Sequence, residues 1–144
     1  MTIKQLIELE NKSKEVWVVS PKLNYDVQNK AFSELVSVNL GEKTKYRYIV
    51  PATEEVERNL NLYKKLYNVT EQEIADNFLI LPVSEFNPFI VECAIYDAST
   101  SCVACAAPAT DDDNDEVISF NDATAKDLAA SFKALWKKYK RVSL

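Results

Sequence analysis

Three short and mostly apolar runs, each ending at or next to a proline, constrain the fold of this chain most. They are EVWVVS at 15–20, KYRYIV at 45–50 and FLILP at 78–82. Runs of this length that are rich in β-branched and aromatic residues predict strands. The near-continuous apolarity of the first run predicts burial on both faces, as in the centre of a parallel sheet.

Segments with apolar residues at three- and four-residue spacing separate these strands and predict helices. The predicted helices cover 2–14, 29–40, 53–67, a short segment from Thr70, and a last helix that begins at Asn121 or Asp122. Residues 21–29 are predicted to be a loop. Thr70 and Glu73 have the spacing of a capping box. Gly41, the only glycine, is expected just past its helix, where a left-handed residue is commonly needed.

Three more strands are predicted late in the chain, at 89–97, 101–107 and 117–120, with the acidic run 111–116 as a loop. The element order is then α-β-α-β-α-α-β-β-β-β-α. Early alternation predicts a parallel sheet with right-handed crossovers, and the late strands predict an antiparallel extension. We therefore expect one α/β domain over residues 1–144, with a mixed, mostly parallel sheet flanked by helices.

Composition excludes several classes of function. The chain has no histidine, so it has no Ser-His-Asp triad, Cys-His pair or histidine metal ligand. Its single glycine excludes a glycine-rich phosphate loop. The net charge of −5 opposes general binding to nucleic acid. No apolar run is long enough to span a membrane, and the charged N-terminal residues do not form a signal peptide, so we expect a cytoplasmic protein. We expect no cofactor.

The three cysteines, Cys93, Cys102 and Cys105, are interpreted as small apolar core residues. A structural zinc site requires four ligands, and residues three apart on a strand point to opposite faces. The acidic run lacks the glycine and the distal glutamate of a calcium-binding EF-hand loop, so we expect a solvated loop there.

Basic residues cluster in two places. In the strand at 45–48, Tyr46 and Tyr48 share one face and are expected in the core, whereas Lys45 and Arg47 are expected to be solvated. The last helix carries six cations: Lys126, Lys133, Lys137, Lys138, Lys140 and Arg141. The helix dipole accounts for cations near a C-terminus. The alternative for both clusters is contact with an acidic partner, including nucleic acid.

A ligand pocket is expected at the carboxyl ends of the predicted parallel strands, where open α/β sheets form a crevice. Ser20 and Pro51 end the first two strands, and Asp26 follows in the first loop. The candidate pocket residues are Ser20, Asn24, Tyr25, Arg47, Tyr48, Pro51, Glu92 and Asp97.

Four segments together resemble prokaryotic phospholipase D-like domains, in particular the short non-catalytic versions. They are VWVVSPKLNYD at 16–26, KYRYIVP at 45–51, AIYD at 94–97 and NDATAKDLAASFKALWKK at 121–138. The resemblance spans about residues 15–141 and rests on element order and these strings. It implies a phospholipase D-like half domain that pairs with a second copy about a two-fold axis, and hence a homodimer.

Active members of that family carry H-x-K-x4-D, in which the histidine is the nucleophile and the lysine holds the phosphate. In this chain Ile90, Glu92 and Asp97 stand at the corresponding positions. The resemblance therefore implies that the nucleophile is replaced by an alkyl group and the phosphate-binding cation by a carboxylate. Such a site would repel a phosphodiester.

Three functions follow as hypotheses. The first, which we favour, is a non-catalytic regulatory or interaction module that binds a small ligand or a protein partner. The second is a phosphodiesterase or nuclease that uses Glu92 and Asp97 with a divalent metal, although a spacing of five on one strand places the two on opposite faces. The third is a nucleic-acid-binding regulator that uses Arg47 and the basic last helix.

Overall fold

The computed structural model of the chain describes residues 1–86, 92–107 and 116–144. The strands are β1 (Glu15–Val19), β2 (Lys45–Pro51), β3 (Phe78–Leu81), β4 (Cys93–Tyr96) and β5 (Val103–Ala106). The helices are α1 (Ile3–Lys12), α2 (Tyr25–Gln28), α3 (Lys30–Gly41), α4 (Glu54–Tyr67), α5 (Glu71–Asn77) and α6 (Asp122–Lys140), with a one-turn 3-10 helix at Val83–Glu85.

The five strands form one mixed sheet in the order β3-β2-β1-β4-β5. β2 runs parallel to both β1 and β3, and β4 runs antiparallel to both β1 and β5. Trp17 in β1 lies opposite Arg47 on one side and opposite Ile95 on the other. The prediction of an α/β fold with a parallel core and an antiparallel extension is confirmed.

The two faces of the sheet bury different cores because side chains alternate along each strand. On the first face, Tyr46, Tyr48 and Tyr96 pack with apolar residues of α1, α3, α4 and α5. On the second face, α6 packs against the sheet, and the ring of Trp17 stacks on Phe132 with their centroids 4.8 Å apart. The sheet is therefore the middle of three layers.

The starts of α5 and α6 follow the predicted signals, and Thr2 caps α1 in the same way as Thr70 caps α5. The hydroxyls of Thr2 and Thr70 each accept from the backbone three residues on, and both helices have a complete capping box. Asn121 caps α6 by accepting from the backbone N–H of Thr124 at 2.8 Å. These local signals were correct because a cap depends on residues that are neighbours in the chain.

Two local predictions were wrong. The segment at 21–29 is not only loop, because it holds the short helix α2, whose first turn is closed by Gln28 N donating to the Asn24 carbonyl at 2.8 Å. Gly41 is the last residue of α3 and does not take a positive φ. Lys43, two residues later, is left-handed instead, with φ of 70°.

The late strands are shorter than predicted. Asp97 and Cys102 both take left-handed φ angles, which form the turn that limits β4 and β5. Two parts of these predictions lie outside the described residues. They are residues 87–91, which include the start of the strand predicted at 89–97, and residues 111–115 of the acidic run. The segment 117–120 is not a strand, because it pairs with β5 only through one bridge between Ser119 and Cys105.

The three cysteines are buried and carry free thiols. Cys102 belongs to the core on the second face and Cys105 to the core on the first. The prediction that these two point to opposite faces and serve as apolar packing is confirmed.

None of the helices in the described ranges has both the length and the apolarity needed to cross a bilayer.

Candidate ligand-binding cavity

A cavity of about 50 Å³ lies on the first face of the sheet, beside the carboxyl end of β1. Its polar lining consists of Glu10, Ser20, Tyr25, Asp26, Glu92 and Tyr96. Its other lining residues are Leu6, Val18, Leu23, Phe32, Cys93, Ala94, Cys105, Ala106 and Ala107. Three of the polar residues carry carboxyl groups, and no cationic side chain is among the described lining residues.

Glu10 reaches the cavity from the buried stripe of α1, where it follows Ile3 and Leu6. It is only 4% exposed. The hydroxyl of Tyr46 donates to its Oε2 at 2.9 Å, and that of Tyr96 donates to its Oε1 at 3.0 Å. Burial raises the pKa of Glu10 to about 8. Asp26 adds to this rise, and the two tyrosine hydrogen bonds oppose it.

Asp26 is carried to the cavity by α2. The hydroxyl of Tyr48 donates to its Oδ2 at 2.6 Å, and the hydroxyl of Tyr67 donates to its backbone carbonyl. These bonds join α2 to β2 and α4, and so hold a helix of one turn in place. Burial raises the pKa of Asp26 to about 6, against the effect of the Tyr48 hydrogen bond.

The tyrosines that hold these carboxyls are themselves fixed by packing. The ring of Tyr48 stacks on Phe78 with centroids 4.5 Å apart, and Asn39 Nδ2 donates to the Tyr46 hydroxyl at 3.0 Å. Burial raises the pKa of Tyr46, Tyr48 and Tyr96 well above the usual value for tyrosine. All three therefore remain protonated and act as donors to the carboxyl groups.

Glu92 enters from the segment before β4. The pairing of Val19 with Cys93 places Glu92 next to Ser20, whose hydroxyl donates to Glu92 Oε1. The same hydroxyl accepts from the backbone N–H of Leu23 at 2.9 Å, where the chain turns with φ of 53°. Burial raises the pKa of Glu92 to about 7.

Three carboxyl groups from distant parts of the chain thus share one small, partly apolar space. Ionising all three there is costly, because each charge is desolvated and the charge of Asp26 raises the pKa of both Glu10 and Glu92. The arrangement can hold protons near neutral pH. Its carboxylates can also compensate the charge of a small organic cation.

The predicted pocket residues divide between this cavity and other places. Ser20, Tyr25 and Glu92 line it, and Tyr48 lies behind Asp26. Two others lie near the strand ends but are not among the lining residues: Asn24, which precedes α2, and Pro51, which is buried at the end of β2.

Arg47 and Asp97 are not brought to the cavity. The guanidinium group of Arg47 pairs with Glu15 at 2.8 Å, on the strand side opposite to Tyr48. Asp97 lies at the far end of β4, where its Oδ1 accepts from the backbone N–H groups of Lys14 and Glu15 at 2.9 and 3.0 Å. Its role in the described structure is to hold the start of β1.

The placement of Glu92 and Asp97 bears on the metal hypothesis. The two residues flank β4 at its opposite ends, roughly 16 Å apart along an extended chain. One metal ion cannot bridge that distance. Within residues 1–86, 92–107 and 116–144, no group of three or more potential metal-ligating side chains is close enough to hold an ion. Ile90, the third position of the aligned motif, lies outside the described residues.

Two of the three carboxyl residues of the cavity, Glu10 and Asp26, were not among the candidate pocket residues. A carboxyl residue on the apolar stripe of a helix was the sequence sign for Glu10, because that position faces the core. Asp26 was visible only as one of several polar residues after the first strand. Asp26 lines the cavity and Asn24 does not, because Asp26 lies within α2 and Asn24 precedes it.

No protein-family model matches the sequence, and no curated protein matches it. Neither comparison therefore assigns a family to the chain or bears on its resemblance to phospholipase D-like domains. The site must be interpreted from its own geometry and charge.

Proposed function

We propose that this protein is a non-catalytic binding module that holds a small organic cation in the cavity beside β1. The observation that carries the proposal is the convergence of Glu10, Asp26 and Glu92 on one cavity with no cation among its described lining residues. A ligand that brings a positive charge would compensate the carboxylates that burial otherwise disfavours.

The size and walls of the cavity indicate the class of ligand. A cavity of about 50 Å³ is small, so it admits a short ligand or the end of a longer one. Leu6, Val18 and Phe32 supply apolar wall, so part of the ligand should be alkyl. A short primary alkylammonium ion, or the end of a longer amine, combines these properties.

The resemblance to non-catalytic phospholipase D-like domains supports a binding role over a phosphodiesterase role. In that alignment Glu92 stands in place of the phosphate-binding lysine, and Glu92 lines the cavity. A carboxylate there repels a phosphate and attracts a cation. We retain the phospholipase D-like scaffold as part of the proposal.

Isothermal titration calorimetry with n-propylammonium chloride tests the proposal, with 1-propanol and sodium propionate as neutral and anionic comparisons. We expect the ammonium ion to bind the wild type and the E92Q variant to bind it at least about tenfold more weakly, which corresponds to about 1.4 kcal/mol. Glu8→Gln is the matched control, because Glu8 is exposed on the same helix as Glu10.

Three results would count against the proposal. If none of the three probes binds, the cavity is not a small-ligand site. If propionate binds best, the class of ligand is wrong. If E8Q weakens binding as much as E92Q, the effect comes from total charge and not from the cavity.

A carboxyl-based enzyme is the second candidate. The observation that favours it is that the pKa values of Asp26 and Glu92 are raised to about 6 and about 7, in the range suited to general acid–base catalysis. Turnover of chromogenic glycosides or esters, with a bell-shaped pH profile that both D26N and E92Q abolish, would favour this candidate over the binding module.

We also propose that the protein is a homodimer in the cytoplasm. The dimer follows from the resemblance, and the buried free thiols of all three cysteines suit a reducing compartment. Light scattering coupled to size-exclusion chromatography at micromolar concentration tests the dimer. A mass of one chain, 16.4 kDa, would contradict it.

A further inference from the structure

The C-terminal half of α6 and the residues after it form a strongly basic region. Residues 128–144 contain five of the 17 Lys and Arg residues of the chain and none of its 22 Asp and Glu residues. These cations are Lys133, Lys137, Lys138, Lys140 and Arg141. The charge of the whole molecule is −5, so its distribution is markedly asymmetric.

Most of these cations lie on the outer side of α6. The inner side is the buried stripe that ends with Phe132 and Trp136. Lys133, Lys137 and Lys138 are exposed, and so is Arg141, the C-cap residue. Lys133 and Lys137 are one turn apart, about 6 Å along the helix axis, and Arg141 continues the same row. We call these four residues the α6 basic row.

None of the residues in the row has an ion-pair partner among the residues that the structure describes. Instead, Lys133 Nζ lies 5.9 Å from the ring centroid of Trp17, and Lys138 Nζ lies 5.2 Å from that of Tyr139. Packing on these rings restricts the side chains while the charges stay at the surface. Exposed cations that have no ion-pair partner among the described residues are suited to contact carboxylates of another molecule.

Lys140 is different. Its Nζ donates to the backbone carbonyl of Ala75 and lies 5.4 Å from the ring centroid of Trp136. It ties the end of α6 to α5, so we assign it a structural role and leave it out of the row.

The helix dipole does not explain the whole row. Its effect on cations is confined to the last turn of a helix. Lys133 lies two turns before the C-cap, and like charges one turn apart repel each other.

We propose that the α6 basic row is the contact surface for an acidic segment of a protein partner, with carboxylates about one helical turn apart. A protein segment fits better than a nucleic acid. Trp17 and Trp136 are 1% and 2% exposed and cannot stack on bases, and the overall charge of −5 repels a long polyanion. This surface is on the second face of the sheet, so the proposal does not depend on the cavity.

Fluorescence anisotropy with a fluorescein-labelled 20-residue glutamate peptide tests this contact. We expect binding at 25 mM NaCl that weakens at 150 mM NaCl, since exposed charge pairs are screened. The charge-reversal variant K133E/K137E/K138E should bind at least about tenfold more weakly. The control K4E/K30E/K65E changes the total charge equally at exposed lysines elsewhere and should lose less than about threefold.

Each remaining outcome has a defined meaning. The proposal is overturned if the wild type does not bind the peptide at 25 mM NaCl, or if the two triple variants lose affinity equally. It is also overturned if a labelled DNA duplex binds more tightly than the peptide, which would favour a nucleic-acid surface. If charge reversal lowers the melting temperature, the measurement is repeated with the neutral variant K133Q/K137Q/K138Q. This variant should also bind the peptide more weakly than the wild type.

Discussion

The hydroxyl of Tyr96 in β4 donates a hydrogen bond of 3.0 Å to the carboxyl group of Glu10 in α1, a residue 86 positions earlier. Both side chains are nearly inaccessible to solvent, at 1% and 4% exposed. The bond joins the first helix to the antiparallel part of the sheet and sets one wall of the cavity. Because Glu10 is buried and its pKa is raised to about 8, it also makes folding sensitive to pH.

The variant E10Q should flatten the pH dependence of stability. The pKa of Glu10 rises from the ordinary value of 4.5 to about 8 in the folded protein, so the native state binds the proton more tightly. The corresponding stability is lost as pH rises from about 4.5 through about 8. Urea unfolding at pH 6, 7 and 8 should show a loss of more than about 1 kcal/mol in the wild type and a smaller loss in E10Q. Parallel curves for the two proteins would contradict this assignment.

Removal of the Tyr96 hydroxyl should destabilise the protein. In Tyr96→Phe, Glu10 keeps its hydrogen bond from Tyr46 but loses the other, and we expect a cost of about 1–2 kcal/mol at neutral pH. Tyr139→Phe is the control, because the Tyr139 hydroxyl bonds to no described residue. It should change the free energy of unfolding by less than about 0.5 kcal/mol. An equal effect of both substitutions would argue against the buried hydrogen bond.

Asp97 should matter for stability and not for ligand binding. Asp97→Ala leaves the N–H groups of Lys14 and Glu15 without their acceptor and puts alanine at a φ of 47°, so we expect a cost of about 1–3 kcal/mol. Asp97→Asn keeps an oxygen acceptor and tolerates this φ, so its cost should be below about 1 kcal/mol. Binding of n-propylammonium should be unchanged in Asp97→Asn. A loss of binding there would place Asp97 in the site.

Binding of n-propylammonium should strengthen as the pH rises from 6 to 8. Burial raises the pKa of Glu92 to about 7, so this carboxyl gains its charge within that interval. A cation binds the ionised form more tightly. Titrations at pH 6, 7 and 8 should therefore show increasing affinity for the wild type and a weaker trend for Glu92→Gln. An affinity that falls with pH would contradict a cation site.

The thiols should be protected from modification in the folded protein. Cys93, Cys102 and Cys105 are each at most 5% exposed, and burial raises the pKa of Cys93 to about 11. We expect none of the three to react with Ellman's reagent within minutes in native buffer and all three to react in 6 M guanidinium chloride. Rapid reaction of one thiol in native buffer would show that the core on its side of the sheet opens readily.

Helices and strands whose sequence signals lie close together in the chain were predicted correctly. The parallel strands and the long helices were correct because apolar periodicity and capping residues act within a few positions of each other. The short helix α2 was missed because Tyr48 and Tyr67 hold it, and both lie far along the chain. Gly41 was expected just past the helix, but α3 includes it and Lys43 takes the left-handed conformation.

The candidate site was only partly predictable. Ser20 and Tyr25 follow the first strand and could be placed at its carboxyl end from the order of elements alone. Arg47 and Asp97 were expected there too, but strand alternation turns Arg47 to the other face, and the antiparallel direction of β4 carries Asp97 to the far end. The strand pattern predicted an antiparallel extension, but it did not show that β4 pairs with β1.

Local sequence thus establishes the long helices, the parallel strands and the absence of histidine chemistry, because these depend on residue type and short-range spacing. The meeting of Glu10, Asp26 and Glu92 in one cavity was decided by the packing of α1 and α2 and by the register of β4 against β1. The physical reason is that burial and like charge change a carboxyl group only when the folded chain brings the groups together. The same three residues would be ordinary surface acids in any arrangement that left them in water.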